Sequence, residues 1–350
     1  MSARAWVAFA SVSFLWGIPY LFIKIAVDDG IPPAFLAWSR VLLAAVILLG
    51  LSWHAGLLGT LRGRLRWMSV YALVEICVPF PLIAAGEQHV SSSLAAILIA
   101  AVPLIVALLA IRFDQGERAQ GRRLVGLLVG FSGVIALVGL DVAGQTDELI
   151  GAGAILVAAT GYAAGPMIMK RHLSDLEPIP MMGAALGIAA LVLTPAALIA
   201  PPSETPPSEA IGALLILGLL CTATAFVFFA ALINEVGPGR ATVITYVAPV
   251  VAVALGVAVL GERPGTGAVA GLLLIIAGSW LSTDGRLPPG LAQLAERRSR
   301  RRRSIRPREE AGEALEALAP PVLVERAPLL RGEPVLRQGQ LGRVAPGFER

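Results

Sequence analysis

Apolar residues run along this chain in long blocks, not in strict alternation and not at the three-and-four spacing of a surface helix. A helix needs about 20 mostly apolar residues to cross a hydrocarbon core of about 30 Å. Ten blocks qualify, at 5–27, 33–53, 67–86, 91–111, 123–140, 149–169, 180–200, 211–233, 240–260 and 266–282. The connectors are short and rich in Gly, Pro and charge, as in Asp28-Asp29-Gly30-Ile31-Pro32-Pro33 and Pro201-Pro202-Ser203-Glu204-Thr205-Pro206-Pro207. Such residues end one helix before the next begins, and none of the connectors has room for a soluble domain. The pattern predicts an all-α integral membrane protein of ten transmembrane helices. The first block, Trp6 to Val27, is followed by no small-residue cleavage site and is expected to stay as the first helix.

Composition supports lipid as the solvent. Of 350 residues, 56% are hydrophobic and 15% charged, against about 25% charged in soluble domains. The net charge of +4 is unevenly spread. Residues 1–282 hold 14 Lys and Arg against 15 Asp and Glu, net −1, and residues 283–350 hold 14 against 9, net +5. The basic character therefore belongs to the tail, and the body lacks a basic surface able to track a nucleic-acid backbone. Cys77 and Cys221 sit in apolar runs, where a thiol acts as a small hydrophobe. His54, His89 and His172 are scattered, and no Cys/His cluster has metal spacing, so neither a metal site nor a cofactor is expected.

Lys and Arg collect on the cytoplasmic side of membrane proteins. Arg4, then Arg62, Arg64 and Arg66, then Arg112, Arg118, Arg122 and Arg123, then Lys170 and Arg171, then Arg240, and finally the tail fall in alternate connectors. The opposite connectors hold only Arg263. Both termini are thus expected in the cytoplasm, consistent with an even number of spans.

The chain also repeats itself. At an offset of 145, Gly116-Glu117-Arg118 recurs as Gly261-Glu262-Arg263, Gly126-Leu127-Leu128 as Gly271-Leu272-Leu273, and Gly133 as Gly278; at 146, Lys24, Pro32 and Pro103 recur as Lys170, Pro178 and Pro249. Each half, 1–140 and 149–282, then holds five spans. An odd number makes the second half enter the membrane from the opposite side, the inverted repeat common among secondary transporters. Inheritance from Arg118 accounts for Arg263. The tail, 283–350, contains Arg297-Arg298-Ser299-Arg300-Arg301-Arg302-Arg303, suited to anionic lipid, and beyond it lacks a sustained apolar face, the composition of a disordered segment.

These residues resemble the EamA-type branch of the drug/metabolite transporter superfamily. The likeness rests on Trp16-Gly17 in the first block, Arg40 in the second, Pro103 in the fourth, and Gly116-Glu117-Arg118 followed by glycines 126, 130 and 133. Ala231-Leu232, Pro249, Gly261-Glu262-Arg263, Gly271 and Gly278 repeat the later part. Gly161-Tyr162 stands where the first half has Trp16-Gly17, and the seventh block has no counterpart of Arg40. The resemblance implies a multi-pass carrier of small metabolites in the cell membrane, often an exporter, with a central cavity lined by both repeats.

Ionisable groups inside the bilayer are functional candidates by default, and Arg40 and Glu75 qualify. At 1.5 Å per residue each lies about 10–12 Å in from its end of the helix, near the midplane, within reach of a bridging substrate. Glu75 suits a carboxylate that exchanges a proton, or a structural group bonded to Tyr71 or to backbone freed by Pro79. Arg40 suits an anchor for an anionic group or a fixed interhelical donor. Trp16, Tyr162 and Tyr246 are candidate cavity aromatics, and Thr242 and Thr245 candidate hydroxyls. Pro103 and Pro249 remove backbone donors at matched places and are expected to bend their helices. Ser91 to Ser93 suit a helix cap, Glu117 and Glu262 a helix-start or Arg-paired structural role, and Lys24 an interfacial anchor. The glycines should permit close helix packing.

The reading that follows is a secondary transporter moving an amino-acid-like or drug-like solute by alternating access, with protons as a candidate coupling ion. A channel or membrane-bound sensor is the alternative, although no ring of like charge lines a block. An intramembrane enzyme is disfavoured, because neither a His-Glu-x-x-His nor a Ser/His/Asp pattern is visible.

Overall fold

The computed structural model describes residues 3–113, 121–142, 144–236 and 244–282. Every regular element among them is helical. In chain order these are α1 (Ala3–Leu15), α2 (Pro19–Asp28), α3 (Pro33–His54), α4 (Leu65–Ala72), α5 (Pro79–Glu87), α6 (Ser92–Ile99), α7 (Val102–Phe113), α8 (Arg122–Leu137), α9 (Thr146–His172), α10 (Pro178–Ile199), α11 (Ser208–Leu215), α12 (Ala225–Val236), α13 (Ile244–Leu260) and α14 (Thr266–Ser282).

Eight stretches of helix are long and apolar enough to cross a membrane: Arg4–Asp28, Pro33–His54, Leu65–Glu87, Ser92–Leu109, Leu124–Val142, Thr146–His172, Pro178–Ile199 and Ser208–Leu232. They coincide with the first eight apolar blocks to within a few residues. The ninth and tenth blocks are also helical, as α13 and α14, but shorter. Thr242, the Gly116-Glu117-Arg118 segment and the tail from 283 lie outside the described residues. Large apolar side chains such as Trp53, Ile135, Leu191 and Ile199 stand exposed on the outside of the bundle, as hydrocarbon surroundings allow.

Several stretches are broken mid-way, each for a visible reason. The first is interrupted at Trp16-Gly17-Ile18, between α1 and α2. The third widens into a π-turn over Leu73–Cys77, just before Pro79. Pro79 has no N–H and its ring crowds the carbonyl four residues back, and the Val78 N–H bonds instead to Leu73 O, at 3.1 Å. The fourth breaks at Ala100-Ala101, with Pro103 in the first turn of α7. The eighth carries a longer π-stretch, Ile216–Thr224, which spans the positions 146 residues beyond Leu73–Cys77. There the Thr222 and Thr224 hydroxyls donate to the carbonyls of Leu217 and Leu219, at 2.8 and 2.7 Å. Pro249, by contrast, lies inside one continuous helix, α13.

Two helix pairs dominate the packing, α8 with α14 and α3 with α10. They join the fifth block to the tenth and the second to the seventh. Glycines bring them together, as expected: a Cβ on Gly278 would overlap the backbone of Gly126 and Gly130, and one on Gly183 would press on the backbone of Leu48 and Leu49.

The connectors fall into two groups. Lys24 reaches the Glu87 carbonyl, Glu262 reaches Ser92 and Ser93, Asp141 reaches Gly267 and Ala268, and residues 29–31 adjoin 202–207. The connector ahead of α4 instead meets the one after α9, where Arg64 donates to His172 O, pairs with Asp175, and leaves Trp67 stacked on His172. Connectors that alternate in sequence thus gather together in space.

Candidate functional site

The side chains with the most chemistry converge where helices from early and late in the chain meet. Arg40 projects from α3 and is 8% exposed. Its Nε donates to Thr222 Oγ1 at 2.8 Å, and its guanidinium carbon stands 4.3 Å from the centre of the Phe80 ring. Thr222 can accept because its own proton is committed to the Leu217 carbonyl. The widened turn therefore aims a hydroxyl at a buried cation. Tyr162, from α9, also meets Phe80, edge-on, with ring centres 6.4 Å apart. Tyr20, Tyr162, Glu87 and Cys221 all lie within electrostatic reach of Arg40.

Arg40 and Glu75 are not paired. The ion pairs among the described residues are Lys24 with Asp28 and Arg64 with Asp175. Arg40 thus combines one hydroxyl with one aromatic face and keeps its two terminal nitrogens without a carboxylate. Glu75 sits in the π-turn, half-buried, with Oε2 enclosed and unbonded. The bonds to Tyr71 or to freed backbone do not form. Its carboxylate fills the space left by Gly165, where a Cβ would collide with it, and one on Gly161 would stand 2.5 Å from the Val74 carbonyl. A shallow groove of about 310 Å³ opens on the bundle surface beside this contact, lined by Val74, Val78, Val157, Thr160, Gly161 and Ala164.

Trp16 and Tyr246 belong to a neighbouring cluster. The Trp16 ring packs on Phe226 and Phe229, at 5.6 and 4.7 Å between centres, and the Tyr246 hydroxyl donates to Ser279 O. Gly17, beside Trp16, lies so close to α13 that a Cβ would meet Val251 and Ala248 O, next to Pro249. Thr245 is half-buried one residue before Tyr246.

At the Glu87 end, Glu262 accepts from the Ser92 and Ser93 amides at 2.8 and 3.0 Å, and from the Ser93 hydroxyl. Ser91 caps α6 through the Leu94 N–H. Both are the structural roles expected of them. Lys24 bonds to Asp28 and to the Glu87 carbonyl. Among the described residues no group of three His, Cys, Asp or Glu stands ready for a metal ion.

Sequence reasoning missed Glu87, Thr222 and Phe80. Glu87 falls one residue past the third apolar block, so it reads as a loop carboxylate, yet it is fully buried. Thr222 is a lone hydroxyl in an apolar run, and only its place 146 residues beyond the Glu75 turn marks it out.

This arrangement defines a helical, multi-pass membrane protein with a polar seam inside the bundle. The EamA-like transporter family model matches the chain twice, over residues 4–139 and 149–283. The chain belongs to that family, and is a membrane transporter. "Uncharacterized transporter YoaV" of Bacillus subtilis is 25% identical over 277 residues, covering 78% of this chain and 94% of the relative. "Uncharacterized inner membrane transporter YedA" of Escherichia coli K12 is 32% identical over 265 residues, covering 73% and 82%. The "Probable terminal-alkyne amino-acid exporter" of Streptantibioticus cattleyicolor is 30% identical over 286 residues, covering 80% and 93%. A solved crystal structure superposes with a TM-score of 0.58 at 19% identity, over 81% of this chain and 97% of that one, a likeness of fold.

Proposed function

We propose that the protein is a secondary transporter of the cell membrane that moves a small amino-acid-like or drug-like metabolite outward by alternating access. In this reading ten spans form two inverted five-helix repeats, 1–140 and 149–282, with both termini and the basic tail in the cytoplasm. The double match to one family model and the pairing of blocks five apart support the repeat. The short α13 and α14 are then the ninth and tenth spans.

The observation that carries the reading is Arg40, a buried cation with no carboxylate partner, hydrogen-bonded to Thr222 at the seam between the two proposed halves. A guanidinium with free donors in a dry site binds a carboxylate or another planar anion strongly. Phe80 and Tyr162 supply apolar walls, and Trp16, Thr245 and Tyr246 extend the path, with Thr242 a candidate by its sequence alone. The exporter named for a terminal-alkyne amino acid is a relative whose cargo, as an amino acid, carries a carboxylate. Glu75 is the carboxylate proposed to couple transport to protons, because its enclosed oxygen has no protein donor.

Flux in proteoliposomes tests this. A pool of labelled amino acids and small metabolites is assayed for uptake, efflux and counterflow, with and without a proton gradient, in wild type and Glu75→Gln. Saturable flux with counterflow, driven by a gradient and uncoupled in Glu75→Gln, is expected. Ohmic currents would make the protein a channel, and no movement through folded protein would turn the reading toward a sensor.

A further inference from the structure

A carboxylate taken out of water needs a cation or a set of donors to hold its charge, and the Glu87 carboxylate is bonded to neither. It is the last residue of α5, is fully buried, and both its side-chain oxygens lack a hydrogen bond. Most donors at hand are already committed, and the enclosed Ser92 hydroxyl, which has no hydrogen bond of its own, makes none to Glu87. The Lys24 ammonium is held by Asp28 and by the main-chain carbonyl of Glu87 itself, at 2.8 and 2.9 Å, and not by the carboxylate. The amides that open α6, and the Ser93 hydroxyl, are taken by Glu262.

The charged and titratable groups facing Glu87 can be named element by element. Helix α2 brings Tyr20, Lys24 and Asp28, α3 brings Arg40, and the connector before α14 brings Glu262. Helix α9 meets Gly86 through Gly151 and Ile155, and its acidic first turn, Asp147 and Glu148, precedes that contact. His89, two residues on, is exposed. Two cations stand against two anions, so the surroundings as a whole do not neutralise a negative Glu87.

We infer that Glu87 is a proton-binding site, its buried carboxyl holding H+ in this conformation because no side chain or amide takes the proton's place. Release breaks the carboxyl O–H bond, leaves the electron pair on the carboxylate and passes the proton to water, once the Glu262 cap on Ser92 and Ser93 opens that end of the bundle. Lys24, already on the carbonyl of the same residue, is then the cation nearest the new charge. This site is separate from Glu75 and does not depend on the identity of the cargo.

Infrared spectroscopy of the full chain in lipid tests the inference directly. The Glu75→Gln background removes the other carboxyl with an enclosed, unbonded oxygen among the described residues, and cell-free synthesis supplies carbon-13 glutamate. At neutral pH, Glu75→Gln should retain the C=O stretch of a free carboxylic acid. That band should move with the label and vanish in Glu75→Gln/Glu87→Gln. Its absence from Glu75→Gln, or its survival in the double variant, would overturn the inference. Should the double variant fail to fold, Glu75→Gln/Glu87→Asp serves instead: an acid band there should no longer move with labelled glutamate, and one that still moves excludes Glu87.

Discussion

The carboxylate of Glu262 accepts the main-chain N–H of Ser92 at 2.8 Å, 170 residues away in sequence. With the Ser93 amide and hydroxyl it holds the start of α6 and ties the ninth apolar block to the fourth. The positive end of a helix dipole and unsatisfied first-turn amides both favour an anion there.

Removing that cap should loosen the fold. Glu262→Ala leaves two amides and a hydroxyl without their acceptor, at a cost of about 1–3 kcal/mol. Ser93→Ala, which spares both amides, should cost less. Thermal unfolding in detergent reads both, and an unchanged midpoint for Glu262→Ala would mean that the cap contributes nothing.

Gly165 and Glu75 occupy one space. Gly165→Ala should therefore be poorly tolerated alone, since its Cβ collides with the Glu75 carboxylate. Trimming the partner in Gly165→Ala/Glu75→Ala should recover most of the lost stability. Gly161→Ala should not be recovered by trimming a side chain, because its obstacle is the Val74 carbonyl. Yields of monodisperse protein for these variants distinguish the two cases.

Arg40 and Thr222 should be energetically coupled. Thr222→Val leaves the buried Arg40 Nε without its acceptor, and a charged donor stranded in this way costs about 1–3 kcal/mol or more. A double-mutant cycle with Arg40→Met should give a coupling above about 0.5 kcal/mol, the size seen for residues in contact. Arg40→Lys should not restore the wild type, because an ammonium cannot bond to Thr222 while laying a planar face on Phe80. Simple additivity in the cycle would show that the contact carries no energy.

Gly278 is the most constrained of the repeated glycines. A methyl group there would overlap the backbone of Gly126 and Gly130, which cannot move aside as a side chain can. Gly278→Ala should separate α8 from α14 and lower the yield of folded protein sharply, whereas Gly153→Ala, where nothing lies within 4 Å, should be neutral. Size-exclusion profiles of the two variants check this.

Much of the architecture was legible because lipid imposes it. Blocks of about 20 apolar residues have few ways to satisfy their backbone in hydrocarbon except as helices, and the first eight appear where hydropathy sets them. Gly133, Gly271 and Gly278, which recur at a fixed offset, lie where α8 and α14 approach each other closely. Arg40 was legible as a buried guanidinium for the same reason, since a lone charge inside an apolar run cannot face lipid. Which of its two readings applies rests on partners that the sequence does not order.

By itself, then, the sequence determined which segments are helices, that the chain repeats, and that Arg40 and Glu75 lie along apolar spans, because these follow from local hydrophobicity and spacing. Only the tertiary structure decided that Arg40 meets Thr222 and Phe80 instead of Glu75, that Glu75 nests against Gly165, and that Glu87, one residue past an apolar block, is fully enclosed with neither carboxylate oxygen bonded. Those outcomes depend on helix rotation and on two π-turns. A shift of one residue in a turn moves a side chain by about 100° around the axis, and local composition carries no record of it.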